Sequence, residues 1–279
     1  MKQYTRQQVK ERLLSTIARK DSIIIAGTGS GMSARQAEIG GADLVGLYST
    51  SFFRMEGIYG MPSFAPVIDN NQVVLDLVRS VAPAIKEVPV IAGIMANDPT
   101  RDLGKLYDEL KSIGCSCIMN FPLTGDHSGR FREALEEVGL GITREMEMLR
   151  IAREKDMFTI GYAFNKKDAI YCASTGIDLV ILHMGRTKGG DMGSVTRTDD
   201  FGIDYAIDQI NEIYAAVKEV NKDVLVFAHG GPISSPDEAD YMFQHTDVTG
   251  FLGASSCERI PIEKPQQAAI SELKCLNIQ

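Results

Sequence analysis

Eight short apolar runs punctuate the chain: Ser22–Ala26, Leu44–Tyr48, Val90–Ile94, Cys117–Phe121, Phe158–Tyr162, Leu179–His183, Val224–Ala228 and Gly250–Ala254. Their length, their β-branched content and the turn residues or Asp around them predict buried parallel strands rather than helix fragments. The intervals carry the other period. Val73, Leu77, Val78, Val81 and Ile85 recur at helical spacing, as do Ile207, Ile210, Ile213, Tyr214 and Val217. Strand and helix alternating through the whole chain predict an α/β protein with a parallel sheet, and eight such units predict closure into a (β/α)8 TIM barrel.

The rhythm of the runs supports closure more strongly than their number. Each of the last four starts 133 to 136 residues after its counterpart in the first four. Gly41-Ala42-Asp43-Leu44-Val45-Gly46-Leu47-Tyr48 also lines up with Gly176-Ile177-Asp178-Leu179-Val180-Ile181-Leu182-His183. A doubled half-barrel is the reading this favours. Thr5–Arg19 reads as an extra helix closing the barrel floor. After the fourth strand, Ser128–Val138 reads as an inserted helix lying over the mouth, Gly139–Gly141 as a joint, and Thr143–Lys155 as a second helix. No stretch has linker composition, so the expectation is one domain over residues 1–279, with the barrel from 22 to 276.

Composition narrows the setting. Apolar types make up 44% of 279 residues, enough for a large core, and the net charge of −8 argues against nucleic acid or an anionic membrane as partner. Five cysteines without metal-ligand spacing, no signal-peptide core and no long apolar run predict a reduced, soluble, cytoplasmic protein.

In such a barrel the chemistry belongs at the strand C-termini. His183 and His229 fall at the ends of strands six and seven, where an imidazole can move protons or only bond a loop carbonyl. His229-Gly230-Gly231-Pro232 lets backbone amides approach a ligand. Gly253-Ala254-Ser255-Ser256 leads into the last helix, whose free amides favour an anion. Against that, Ser235-Pro236-Asp237-Glu238 and Ser255-Ser256-Cys257-Glu258 both have the form of a capping box. Asp98, at the end of strand three, serves either as a helix N-cap before Pro99 or as a site carboxylate; Asn120 ends strand four. Glu145 and Glu147 open the helix returning to strand five, and Glu147 is taken as the candidate. Arg186 and Lys188 lie on a Gly-rich loop, Met184–Gly193, that suits a lid over an anionic substrate. No lysine ends a strand, and Rossmann, Walker and nucleophile-elbow motifs are lacking, which argues against Schiff-base, dinucleotide and serine-hydrolase chemistry.

Several blocks then resemble a known family: Gly40–Leu44, Phe53-Arg54-Met55, Ala92-Gly93-Ile94 with Asn97-Asp98-Pro99, Asn120-Phe121-Pro122, Glu145–Met148, His183-Met184-Gly185, His229–Pro232 and Gly253–Ser256. In this order they are similar to the phosphoenolpyruvate hydrolase-like proteins, also called TIM-barrel signal-transduction proteins, and to the C-terminal barrel of plant tobamovirus-resistance proteins. The resemblance implies a barrel of the phosphoenolpyruvate/pyruvate group, acting as a hydrolase or lyase on a small phosphorylated or 2-oxo acid. A homo-oligomer is also expected. Relatives in that group usually hold magnesium with acidic residues at the middle strands. Here strand three offers Asp98 alone and strand four Asn120, so a metal has no evident ligands. In the enzyme reading, His183 and His229 move protons, and Asp98 and Asn120 orient substrate or water. Gly230, Gly231, Ser255 and Ser256 bind the anion. The alternative is a non-catalytic ligand-sensing or scaffolding barrel.

Overall fold

A computed structural model describes residues 2–191 and 202–278. The chain opens with α1 (Arg6–Ala18), and then β1 (Ile23–Gly27), α2 (Gly31–Ile39), β2 (Leu44–Leu47), α3 (Ser49–Met55), α4 (Asn70–Val81), β3 (Val90–Gly93) and α5 (Leu103–Ser112) follow. Next come β4 (Cys115–Met119), α6 (Gly129–Glu137), α7 (Ile142–Glu154), β5 (Phe158–Ala163), α8 (Lys166–Ser174), β6 (Leu179–His183) and α9 (Ile203–Val220). β7 (Leu225–His229), α10 (Pro236–His245), β8 (Gly250–Gly253) and α11 (Ile260–Lys274) complete the order. The eight strands pair in sequence order, all parallel, and β8 closes on β1, where Ile23 faces Gly250 and Ile25 faces Leu252. The chain is a closed (β/α)8 barrel, as the alternating pattern predicted.

Side chains of alternate strand residues fill the barrel, among them Ile25, Ile91, Phe158, Ile181, Phe227 and Leu252, while a second apolar layer lies between strands and helices. α1 plugs the floor. Thr5 caps it with a reciprocal bond to Gln8, and Val9 and Leu13 enter the interior cluster. Among the described residues no helix is long and apolar enough to cross a membrane.

The two halves repeat with one period. Ile23 and Phe158, Leu44 and Leu179, Val90 and Leu225, and Cys115 and Gly250 open paired strands, each pair 135 residues apart. Smaller details keep that spacing. Ser30 caps α2 by accepting from the Ser33 amide, and Asn165 caps α8 by accepting from the Asp168 amide. Asp43 accepts from the Ile24 amide at 2.9 Å, and Asp178 accepts from the Thr159 amide at 3.0 Å. α1 ties both carboxylates to the floor, through Thr16 to Asp43 and Arg6 to Asp178.

Three local expectations need correction. Strand four runs over Cys115–Met119, two residues earlier than the apolar run, with a register shift opposite Val90 and Ile91. Beyond Met119 the Asn120 side chain takes over the pairing, its Oδ1 accepting from the Tyr162 amide at 2.6 Å. Ser255–Glu258 forms no capping box, because α11 starts only at Ile260 after a separate turn, whereas Ser235 and Glu238 do form one. α5 is capped by Asp102 rather than Asp98.

Candidate functional site

The C-terminal rim surrounds a cavity of about 220 Å³, walled by Tyr162 and His183 from β5 and β6, His229 from β7, and Arg54, Arg186 and Arg259. That is below the 300–1,000 Å³ of pockets for drug-sized ligands, so it suits a small molecule. Phe121 meets Tyr48 and Tyr162, each with centroids 5.2 Å apart, and these rings form an apolar base above the barrel core.

The two histidines meet as the sequence suggested. Their ring centroids are 4.7 Å apart, and His183 also stacks on Phe164 at 4.0 Å. Backbone contacts give the rings opposite tautomers. His183 Nδ1 accepts from the Gly185 amide at 3.0 Å, which places its proton on Nε2. His229 Nδ1 lies 2.6 Å from the Leu252 carbonyl, which can only accept, so the proton is on Nδ1 and Nε2 keeps a lone pair. The pair therefore combines one N–H donor and one basic nitrogen. Burial lowers the His183 pKa well below its ordinary value, with His229 adding to the effect, and lowers that of His229 to about 4. Both rings are neutral at pH 7.

Opposite them stands a residue that the strand-end argument passed over. Arg54, on α3, reaches the buried carboxylate of Glu258 at 3.0 Å, and its guanidinium lies 5.6 Å from the centre of the Tyr48 ring. Burial opposes the Arg54 charge, but Tyr48 and Glu258 outweigh it and raise its pKa. Glu258 also accepts from the Gly29 amide and from Ser33 Oγ, at 2.8 Å in the second case. Gly29 must be glycine, since a Cβ there would run into the Ser51 carbonyl. The Gly-rich segment after β1 thus docks on α3 while its amide helps hold Glu258. Arg54 Nε has no partner among the described residues. Arg259 is held by Glu263 at 2.7 Å and donates to the Gly189 carbonyl at 2.9 Å.

The other expected site residues are distributed differently. Ser255 and Arg186 line the cavity with the histidines, and Arg186 reaches Met61 across its mouth at 3.4 Å. Lys188 turns away to Glu238, at 2.7 Å. Gly230 and Gly231 have φ of +75° and +58°, and a Cβ on either would run into the carbonyl of Gly185 or Met184. They clasp the loop after β6, and the Gly231 amide is already given to Gly185 at 2.7 Å. Gly253 packs against Cys257, and Ser256 Oγ is buried without a partner; neither lines the cavity. Residues 192 and 193 of the expected lid lie outside the described residues.

Asp98, Asn120 and Glu147 are corrected. Asp98 lies in a neighbouring chamber, where it accepts from Thr100 Oγ1 at 2.6 Å and Asn71 Nδ2 at 3.1 Å. Asn120 is fully buried behind the wall, bridging the Tyr162 amide and Glu145. Glu147 faces outward to Arg150 at 2.7 Å, while Glu145 turns inward and accepts from Asn120 at 2.6 Å and the Thr124 amide at 2.7 Å. Asn120 and Glu145 position Tyr162 and the loop after β4 and do not line the cavity. α6 supplies Phe131 and Leu135 to the neighbouring chamber and nothing to the first.

The magnesium implied by the family does not fit this donor set. Among the described residues no group of three His, Cys, Asp or Glu side chains converges on one point. The carboxylates that would be its ligands are bound elsewhere, and the cavity wall carries three guanidinium groups, which repel a dication.

Comparison with known proteins accords with this architecture. Residues 8–276 match the family described as phosphoenolpyruvate hydrolase-like. The chain is 38% identical over 272 residues to the ToMV susceptible protein tm-1(GCR26) of Solanum lycopersicum, and 37% over 275 residues to the ToMV resistance protein Tm-1(GCR237) of the same plant. These alignments cover 97% and 98% of this chain but only 36% of each relative, so the chain spans about a third of their length. Among solved structures it is similar to a phosphoenolpyruvate phosphomutase from Streptomyces platensis subsp. rosaceus, with a TM-score of 0.62, 15% identity, and 95% and 87% of the two chains covered. It is also similar to a phosphonopyruvate hydrolase in complex with oxalate and magnesium, with a TM-score of 0.58, 16% identity and the same coverage. At such identities the structural likeness shows the fold alone.

Proposed function

The chain belongs to the phosphoenolpyruvate hydrolase-like family, and from that premise we propose that the rim cavity is the active site of a hydrolase or lyase acting on a small phosphorylated or 2-oxo acid. The observation that carries this reading is the pair of neutral histidines in opposite tautomers, facing arginines across a cavity of small-molecule size. Arg54, Arg186 and Arg259 bind the acid groups, and guanidinium forks suit carboxylate and phosphate alike. His183 Nε2–H donates to an oxygen on which charge develops. His229 Nε2 takes a proton from a water or from carbon. A base with a pKa of about 4 is weak in the empty site, but an anion bound beside it favours the imidazolium and raises that value. Substrate binding therefore strengthens the base that acts on it. Tyr48, Phe121 and Tyr162 keep the base of the site apolar, which strengthens each of these interactions.

A thermal-shift screen with phosphoenolpyruvate, phosphonopyruvate, oxaloacetate and oxalate tests the reading. A bound acid at 100 times its Kd stabilises the fold by about 2.7 kcal/mol. His229→Asn keeps an N–H for the Leu252 carbonyl, and should retain binding while turnover falls by about 10²- to 10⁴-fold. No shift with any acid, with or without magnesium, would remove the proposal. Binding without turnover would instead favour a ligand-sensing barrel.

The expected homo-oligomer has a candidate surface in α11. No residue of this helix is buried, and Ile270 and Leu273 are 61% and 63% exposed. Among the barrel strands only β1 leaves a residue half-buried, Ile24, on the flank where an eighth helix belongs. The α11 of a second copy covering that flank would remove both exposures, worth about 25 cal/mol per Å² of apolar surface. Light scattering after gel filtration should then show a dimer that Leu273→Glu converts to monomer; an unchanged mass for the variant rules out this surface.

A further inference from the structure

The arginine-lined cavity has an apolar lip, and one short strap supplies it. Ile58, Tyr59 and Met61 border the same space as Arg54, Arg186 and the two histidines. These three side chains are 44%, 56% and 42% exposed. Single exposed apolar residues are ordinary on a protein surface. Three within four consecutive positions, all bordering one cavity, form a patch of the kind that covers a ligand.

The strap is tied to the helix that carries Arg54. Gly57, with φ of +72°, makes a left-handed turn after α3. Its amide donates to the Arg54 carbonyl at 3.2 Å, and the Ile58 amide donates to the Phe53 carbonyl at 2.9 Å. This pair of bonds closes a helix end, and a hydrophobic residue in the place of Ile58 commonly packs back on its own helix. Here it borders the cavity. Gly60 then returns the strap to the start of α3, so closely that a Cβ would lie 3.1 Å from Thr50 Cβ. Charge and lip are thus held at a fixed spacing by one helix end. Across the mouth, the segment Gly185–Asp191 of the other half has no large apolar residue.

We infer that the strap is a subsite for an apolar tail, so that the substrate is a small 2-oxo or phosphorylated acid carrying a hydrocarbon side chain. The inference rests on the proposed reading of the cavity, whose arginines take the acid group. A tail laid along Ile58, Tyr59 and Met61 removes their apolar surface from water along with its own. A hydroxylated tail in the same place sheds water against Ile58 and Met61 and gains no partner from them.

Calorimetry with four acids separates head from tail. Oxalate and pyruvate probe the acid site; 2-oxohexanoate lengthens the methyl group of pyruvate to butyl, and 2-ketogluconate carries hydroxyls on a chain of the same length. A fully buried CH2 is worth about fourfold in affinity, so 2-oxohexanoate, covered by the lip on one side, should bind about tenfold tighter than pyruvate. It should also bind tighter than 2-ketogluconate. In the double variant Ile58→Ser, Tyr59→Ser its advantage over pyruvate should fall to about twofold or less, whereas Ile58→Leu, Tyr59→Phe should keep it. Equal affinities for pyruvate and 2-oxohexanoate in the wild type, a preference for the hydroxylated acid, or an advantage that survives the double serine variant overturns the tail subsite while the acid site stands. Failure of both oxalate and pyruvate to bind overturns the acid site, and the inference with it.

Discussion

The two halves of the barrel share a scaffold and differ at the rim. Below the mouth, equivalent positions do equivalent work: Asp43 and Asp178 each bond the amide of the strand before them, and Ser30 and Asn165 cap helices of nine residues. At the mouth the equivalence ends. Tyr48 stands 135 residues before His183, and Ile94 stands 135 before His229. The first half thus contributes a phenol and, near the end of the short helix after it, Arg54; the second contributes two neutral imidazoles together with Arg186 and Arg259. Strand spacing and floor contacts are set by packing, which both halves must satisfy. Rim side chains are free of that demand, so the equivalent positions diverge and both imidazoles come from one half.

The largest expected effect tests the buried ion pair that joins Arg54 of the first half to Glu258 of the second. Glu258→Leu leaves the Arg54 guanidinium buried without its counter-ion and also removes the acceptor for the Gly29 amide and Ser33. Loss of one partner from such a pair costs about 3–5 kcal/mol, measurable by urea denaturation. The double variant Arg54→Met, Glu258→Leu should recover much of that stability, since an apolar pair of similar volume is often neutral in place of a buried ion pair. It should not recover oxalate binding. A double variant that regains both stability and oxalate affinity would make the pair purely structural, and the first half's charged contribution to the rim would have to be given up.

How much of this was legible in the sequence follows the same line. The strands were, because residues buried on both faces read as unbroken apolar runs, and the 135-residue period showed through them. His183 and His229 were legible because a polar residue ending such a run has only the rim to occupy. Glu147 was chosen over Glu145 without a means of separating them. Two positions apart on a helix is about 200° of rotation, so one faces Asn120 and the other faces Arg150. Asp98 does sit near the rim, but Asn71, Thr100 and Arg101 claim it locally, and no strand pattern reveals that. Arg54 was the real omission. Its partner Glu258 is 204 residues away, and only tertiary structure brings the two together. The local signals were its place in the Phe53-Arg54-Met55 block and a single arginine among Phe52, Phe53 and Met55 in the segment after the second strand, an unusual place for a charge that is to be buried.

A smaller effect tests the imidazole pair of the second half through its response to acid. His229 has a pKa of about 4 in the fold against an ordinary 6.5, because burial penalises its charged form. Between those values the unfolded chain takes up a proton that the folded chain refuses. Stability is therefore highest above pH 6.5 and falls as pH drops from 6.5 to 4, by about 3 kcal/mol in all. His183 shifts in the same direction and deepens the loss. Burial raises the pKa of Glu145 and Glu258, which acts oppositely as the pH falls, so a raw pH profile mixes the contributions. Subtraction separates them. His229→Asn cannot titrate, keeps a donor for Leu252, and leaves the other groups in place. The difference in unfolding free energy between wild type and this variant should be flat above pH 6.5 and should fall against the wild type by about 3 kcal/mol down to pH 4. Saturating oxalate should shrink that fall, because an anion beside the ring stabilises the imidazolium and brings the folded pKa back toward 6.5. A difference curve flat down to pH 4 would mean that His229 is charged or solvated in the fold, and the neutral, tautomer-fixed pair would have to be given up.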